Sequence, residues 1–279
     1  MALKLMYITN RPDVAEVAEI NGVDRIFVDM EYIGKADRQG GLDTVQNRHT
    51  VEDVRRIRAV LRKSALLVRC NPIHEATEAY GSSAAEIDSI VEAGADIIML
   101  PFFKTADEVE AFVSLVGGRA RVMLLLETPA AVENLDSILS VKGVDEVFIG
   151  LNDLSLGYGK TFLFEVLADG TVERLCLKCR EYGLPYGFGG IASLGKGLVH
   201  AEYIMGEHYR LGSGSVILSR SFCHIGQLQS MEEIRRTFEE GLSGIRRLES
   251  QWEGIMSPVW ENYRRTAEQI GRVVENMRK

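Results

Sequence analysis

The sequence predicts an α/β protein of the (β/α)8 TIM-barrel class, followed by a C-terminal helical extension. Three observations carry that expectation. Eight short apolar runs alternate with segments of helical periodicity, and continuous apolar runs mark strands covered by helices on both faces of a parallel sheet. Three strands are entered through one repeated turn, GVD before RIFV, GAD before IIML and GVD before EVFI, in which glycine closes the preceding helix. The first strand is followed by TNRPDVA, without glycine, whereas an open dinucleotide-binding sheet carries a glycine-rich turn there. A barrel of this class uses about 250 residues as one domain. The predicted boundaries are therefore 1–250 for the barrel and 251–279 for the extension.

Taken in order, LKLMYIT (Leu3 to Thr9) is the first strand, and Pro12 opens a helix with Val14, Ala15, Val17, Ala18 and Ile20 on one face. RIFVDME (Arg25 to Glu31) is the second strand and ends on two carboxylates. Residues 32 to 49 are too long and polar for a routine connection, which marks a functional loop. The helix VEDVRRIRAVL leads into ALLVRCN (Ala65 to Asn71), and SAAEIDSIVEAG into DIIMLP (Asp96 to Pro101). TADEVEAFVSLV precedes RVMLLLET (Arg121 to Thr128), and AAVENLDSIL precedes EVFIGLND (Glu146 to Asp153). A helix near 171 to 182, PYGFGG (Pro185 to Gly190), a helical stretch near 199 to 209 and SVILS (Ser215 to Ser219) complete the ring. Two further helices, 228 to 250 and 258 to 278, have Trp252 and Trp260 near their junction. Closing the barrel needs one of them. The other packs either on a neighbouring subunit, with Trp as an interface anchor, or back on its own barrel.

Composition narrows the function classes. Forty acidic residues against 32 Lys and Arg give a formal charge of −8, which argues against nucleic-acid and anionic-membrane partners. No apolar run approaches the roughly 18 residues of a membrane span. MALKLMYITNRPD turns polar too soon for a signal peptide, so a cytoplasmic location is expected. Four cysteines are too few for a disulfide scaffold. Cys176 and Cys179 form a CxxC inside a helical segment and read as reduced helix residues.

In such a barrel, function collects where strands end and the following loops begin. The strand ends carry Asp29 and Glu31, Arg69 and Asn71, Pro101 and Lys104, Glu127 and Thr128, and Asn152 and Asp153. Carboxylates at that depth need a metal, an arginine or hydrogen bonds to offset their desolvation. Glu127 and Asp153 belong to neighbouring strands about 4.8 Å apart. They can share a hard divalent ion, Mg²⁺ or Mn²⁺, with water and a chelating substrate filling the other positions; the alternative is pairing with a barrel arginine. Arg69 suits a carboxylate or phosphate ligand, or a salt bridge to Asp29 or Glu31, and the two roles can coexist. Backbone N–H groups of Gly150, Leu151 and Asn152 offer a cradle for a small anion. His74 lies near the mouth, while His200 and His208 read as structural.

GVDRIFVDME, LLVRCNP, GADIIMLPFFKTADEVE, LLLETPAAVENLDSI and GVDEVFIGLNDLSLGYG occur here in one order. In these segments the chain resembles the HpcH/HpaI aldolase and citrate lyase beta-subunit family, over about residues 10 to 224. The resemblance implies a divalent-metal-dependent carbon–carbon lyase. It assigns Glu127 and Asp153 to the metal, Arg69 to the substrate carboxylate or enolate oxygen, and Asp29 and Glu31 to the acidic pair, one of which orders metal-bound water. Glu92 matches an acid lent by a neighbouring subunit, so a homo-oligomer is implied. The aldolase branch places histidine directly after the acidic pair, where this chain has Tyr32. With a pKa of about 10, a tyrosine is a poor base at neutral pH; His49 can supply an imidazole instead, or cap the next helix with Thr50, and metal-bound water activated by Asp29 or Glu31 can serve without either.

The leading expectation is an aldolase acting on a 2-oxo acid, pyruvate or oxaloacetate-like, with an aldehyde or acyl partner, through an enolate stabilised by Mg²⁺ or Mn²⁺. LLVRCNP and the basic loop bearing Arg38 and Arg48 are closer to the citrate lyase branch. The alternatives are therefore a citryl- or malyl-CoA type lyase, a citrate-forming condensation, or a non-catalytic subunit that binds metal and small acids.

Overall fold

The computed structural model describes residues 2–34, 48–228, 230–252 and 259–279. Most of the long loop after the second strand, including Arg38, lies outside them. The strands are β1 Lys4–Ile8, β2 Arg25–Asp29, β3 Ala65–Arg69, β4 Ile97–Leu100, β5 Arg121–Leu126, β6 Glu146–Ile149, β7 Tyr186–Phe188, β8 Gly190–Ile191 and β9 Ser215–Leu218. All pair in parallel in the order β7-β6-β5-β4-β3-β2-β1-β9-β8. The two short pieces β7 and β8 are the expected seventh strand, broken at Gly189, whose φ is +54°. That left-handed turn lets one piece pair with β6 and the other with β9, which brings the ring almost to closure as a TIM-like barrel.

Side chains alternate along each strand, so every second residue points into the barrel. Met6, Phe27, Leu67, Ile97, Met99, Met123, Leu125 and Phe148 form that interior core, while a larger apolar cluster fills the layer between strands and helices. The same alternation carries Arg25 and Glu146 inward at the N-terminal end. There Arg25 Nη1 and Nη2 donate to Glu146 Oε1 and Oε2 at 3.0 and 2.7 Å, and Ser215 Oγ donates to the same carboxylate at 3.3 Å. The two-point pairing offsets the desolvation of both charges and plugs the barrel floor. Gly187 is required beside it, because a Cβ would stand 2.1 Å from Ser215 Oγ.

At the opposite end the in-phase positions are Asp29, two beyond Phe27; Arg69, two beyond Leu67; Glu127, two beyond Leu125; and Gly150, two beyond Phe148. Most strands stop earlier than the apolar runs predict. The clearest case is β6, which ends at Ile149 because Gly150 caps the helix Leu151–Gly157. Asp153 therefore stands in a helical first turn rather than on a strand.

The C-terminal helices both pack on the chain itself. Met231–Trp252 lies across the helix Pro12–Ile20, buries Phe238, Leu242 and Ile245, and accepts the Leu3 N–H on Glu249 Oε1 at 2.7 Å. Of the two hosts open to the surplus helix, the described residues show the one on its own chain. Val259–Met277 docks on the helix Ala201–Leu211, burying Ile270 and Val274. Asn262 Nδ2 donates to Tyr203 O at 3.0 Å and to Glu207 Oε1 at 2.8 Å. No described helix is long and apolar enough to cross a membrane. All four cysteines are buried free thiols, and burial pushes Cys179 up to about 12, which suits inert helix residues rather than a reactive CxxC.

Candidate active site

A cavity of about 360 Å³ opens at the carboxyl ends of the strands. Its floor is apolar, from Phe27, Met99, Leu125 and Phe148, and its polar groups are Asp29, Arg69, Glu127, Asn152 and Asp153. The far wall, contributed by β1, β8 and β9, carries Tyr7, Ile8, Leu218, Ser219 and Arg220.

Arg69 organises one side. Its Nε and Nη2 donate to Asp29 Oδ1 and Oδ2, both at 2.8 Å, and Nη1 lies 3.2 Å from Glu31 Oε2. Burial disfavours the guanidinium charge, but Asp29, Glu31 and Glu127 outweigh it and raise the pKa further above its ordinary value. Arg69 is therefore a permanent cation. Two of its five N–H groups are hydrogen-bonded to Asp29, Nη1 meets Glu31 as an ion pair, and both terminal nitrogens keep N–H groups for a ligand. Both expected roles, salt bridge and ligand contact, are thus compatible in one side chain.

Glu127 faces Arg69 across the cavity. Its Oε1 accepts the Phe102 N–H at 3.1 Å. Phe102, next to Pro101, has φ +52°, the one positive value for a non-glycine among the described residues; backbone strain of that kind gathers where a group must be aimed. Gly150 leaves room for the carboxylate, since a Cβ there would stand 2.7 Å from Glu127 Oε2 and 2.9 Å from its Cβ. Asp153, one helical turn along, is buried on the same wall. The Gly150 N–H is spent on the Leu126 carbonyl at 3.0 Å, so the expected anion cradle reduces to the first-turn N–H groups of Leu151 and Asn152, which have no intrahelical acceptor.

Among the described residues, no cluster of three His, Cys, Asp or Glu side chains could enclose a metal. What Glu127 and Asp153 provide is a pair of hard carboxylate donors on one wall, with a glycine cradle beside them. That donor set fits Mg²⁺ or Mn²⁺, ions that keep several positions for water and substrate oxygen; it does not fit a closed structural zinc site.

Other anticipated residues stand outside the cavity lining. Tyr32 is 43% exposed and packs against Tyr80 at 5.3 Å; burial, with Glu86 and Tyr80 nearby, raises its pKa, making it a still weaker base. Its backbone N–H and that of Ile33 donate to Asn71 Oδ1, both at 2.9 Å. His49 reaches the strand end, but Nδ1 accepts the Asp29 N–H at 3.0 Å, while Thr50 alone forms the helix capping box with Asp53. Lys104 Nζ lies over the Phe102 ring at 5.5 Å, and His74 bonds the Pro72 and Gly81 carbonyls at 2.8 Å each. Glu92 is exposed at the last residue of its helix. Because helices run antiparallel to the strands, that is the face opposite the cavity, so Glu92 can reach a mouth only in another copy. Sequence reading missed Tyr7, Ser219 and Arg220, although the last two directly follow SVIL and obey the same strand-end rule that finds Arg69.

Residues 4–184 match the HpcH/HpaI aldolase/citrate lyase family. A 4-hydroxy-2-oxovalerate aldolase from Novosphingobium aromaticivorans is 24% identical over 176 residues, covering 53% of this chain and 60% of that enzyme. A 2-keto-3-deoxy-L-rhamnonate aldolase from Salmonella paratyphi B is 26% identical over 176 residues, covering 52% and 58%. The chain thus spans about three fifths of the length of these curated relatives. The crystal structure of an HpcH/HpaI aldolase from Desulfitobacterium hafniense DCB-2 shares the fold, with TM-score 0.57 and 18% identity over 88% of this chain and 93% of that one.

Proposed function

Because the chain belongs to the HpcH/HpaI aldolase/citrate lyase family, we propose that it is a metal-dependent aldolase that makes or breaks a carbon–carbon bond beside a 2-oxo acid, pyruvate or oxaloacetate-like. The observation that supports this most is the convergence of Glu127, Asp153 and the Asp29-clamped Arg69 on a single cavity. Mg²⁺ or Mn²⁺ held by Glu127 and Asp153 would supply Lewis-acid stabilisation of negative charge on the keto oxygen. Arg69 directs the terminal N–H groups not bonded to Asp29 at the carboxylate or the developing enolate oxygen. Phe27, Met99, Leu125 and Phe148 keep the floor free of water, so these charges act in a low dielectric.

Among the described residues no histidine lines the cavity. Tyr7 donates its hydroxyl to the Cys223 carbonyl at 3.1 Å, and burial raises its pKa. Proton transfer is therefore assigned to water at the carboxylates. Exchange of pyruvate methyl protons in D₂O, followed by NMR with Mg²⁺ or Mn²⁺, tests the reading without knowledge of the second substrate. The wild-type protein should exchange these protons, and Arg69→Lys, which keeps the charge but loses the planar fork, should be slower by about 100-fold. Folded protein that leaves the methyl protons unexchanged with either ion would contradict the proposal.

A further inference from the structure

Resting on that reading, we infer that His49 is a positioning residue for the enolate-stabilising Arg69, acting through the backbone of Asp29 and not as the proton carrier. In a parallel sheet, successive N–H groups of a strand point to opposite neighbours. On β2 the Met30 N–H turns to β3 and donates to Arg69 O at 3.0 Å, so the Asp29 N–H faces β1. There the ladder has run out: β1 pairs with β2 only as far as Ile8 opposite Phe27, and the chain turns away at Thr9 toward the helix from Pro12. The His49 ring fills the vacated place, with Nδ1 accepting the Asp29 N–H at 3.0 Å.

The contact is buried. His49 is 9% exposed and Asp29 1%, so water cannot easily replace the lost ladder acceptor. One residue therefore carries both ends of a relay. The Asp29 backbone is fixed by His49, and the Asp29 carboxylate fixes the plane of Arg69 through two 2.8 Å bonds. An imidazole that accepts at Nδ1 carries its proton on Nε2. The acceptor atom, not the basicity, is what the relay uses.

Atom position separates the two roles. In His49→Asn the carboxamide oxygen takes the place of Nδ1, in His49→Gln it takes the place of Nε2, and His49→Leu has no acceptor. With the full chain, Mg²⁺ and pyruvate, His49→Leu should lose about 10- to 100-fold in kcat for methyl-proton exchange, the scale of a roughly 1 Å misplacement, with KM nearly constant. His49→Asn should recover most of the rate and His49→Gln little of it. His49→Leu added to Arg69→Lys should cost almost nothing more, since both act through one guanidinium.

Backbone hydrogen exchange of the peptide containing Asp29 gives a readout independent of activity: protection should fall in His49→Leu and return in His49→Asn. If His49→Asn is as inactive as His49→Leu while Asp29 stays protected in both, the imidazole works as a base and the inference is overturned. Wild-type rates in His49→Leu overturn it as well. Absence of pyruvate exchange in the wild-type protein strikes the functional reading, whereas an Asp29 amide equally protected in His49→Leu strikes this relay alone.

Discussion

Gly150 and Glu127 compete for one volume: a Cβ on Gly150 would lie 2.7 Å from Glu127 Oε2, closer than a non-bonded carbon and oxygen tolerate. Gly150 has φ −83°, which any residue adopts, so the glycine is needed for space and not for backbone freedom. The helix that it caps brings Asp153 onto the same wall. One small residue thus lets both carboxylates face the cavity.

Gly150→Ala should therefore fold and yet lose the function of Glu127. The backbone conformation is permitted, so thermal stability should fall by no more than a few degrees, corresponding to about 1 kcal/mol. Mn²⁺ affinity, read by electron paramagnetic resonance, should fall at least about tenfold. Unchanged affinity would show that Glu127 does not reach the ion.

The pair itself makes a second test. Glu127→Gln and Asp153→Asn keep shape but remove one anionic donor each. Either change should weaken Mn²⁺ binding by about 10- to 100-fold or more and leave the melting temperature of the metal-free protein nearly constant. Full affinity in both variants would place the metal elsewhere.

Much of this site was legible because a two-residue period needs no tertiary information. Once β2, β3 and β5 are located, the inward phase of Phe27, Leu67 and Leu125 brings Asp29, Arg69 and Glu127 to one mouth. Gly150 was visible but placed on a strand, since GLND can extend EVFI as readily as it can start a helix. His49 was noticed as an imidazole, but its backbone contact depends on where β1 stops pairing, and no local pattern encodes that. The host of the last helix was equally hidden. An amphipathic stripe states that a face is buried, not against what; the fit of Gly206 beneath Asn262, with 2.5 Å between a Cβ at 206 and the carboxamide, appears only in three dimensions.

Truncation after residue 258 should accordingly act on stability. It strips the cover from the helix Ala201–Leu211 and removes the Asn262 contacts to Tyr203 and Glu207. The melting temperature should fall by several degrees, the scale of about 2–3 kcal/mol in a domain of this size. The solution mass by sedimentation should change only by the deleted residues, because Ile270 and Val274 are already buried within their own chain. Dissociation to smaller species would show that the extension also holds copies together.

His208 supplies a stability prediction with a definite sign. Its ring stacks on Phe188 at 3.8 Å and 4°. Nδ1 lies 2.8 Å from Ser213 Oγ, while Nε2 has no hydrogen-bond partner among the described residues. Burial lowers its pKa to about 3, against about 6.5 when unfolded. Between those values the unfolded chain binds the proton and the folded one does not, so stability is lost as pH falls from about 6.5 toward 3. Near pH 4.5 the loss from this group is about 3 kcal/mol. Glu207, whose pKa burial raises, acts in the opposite direction, so only a comparison isolates the histidine. His208→Phe keeps a ring on Phe188 and cannot titrate. It should be less stable than wild type by about 1 kcal/mol near pH 7, where the Ser213 bond is lost, and more stable near pH 4.5. Denaturant unfolding at the two pH values measures both, and parallel losses in the two proteins would remove His208 from the acid response.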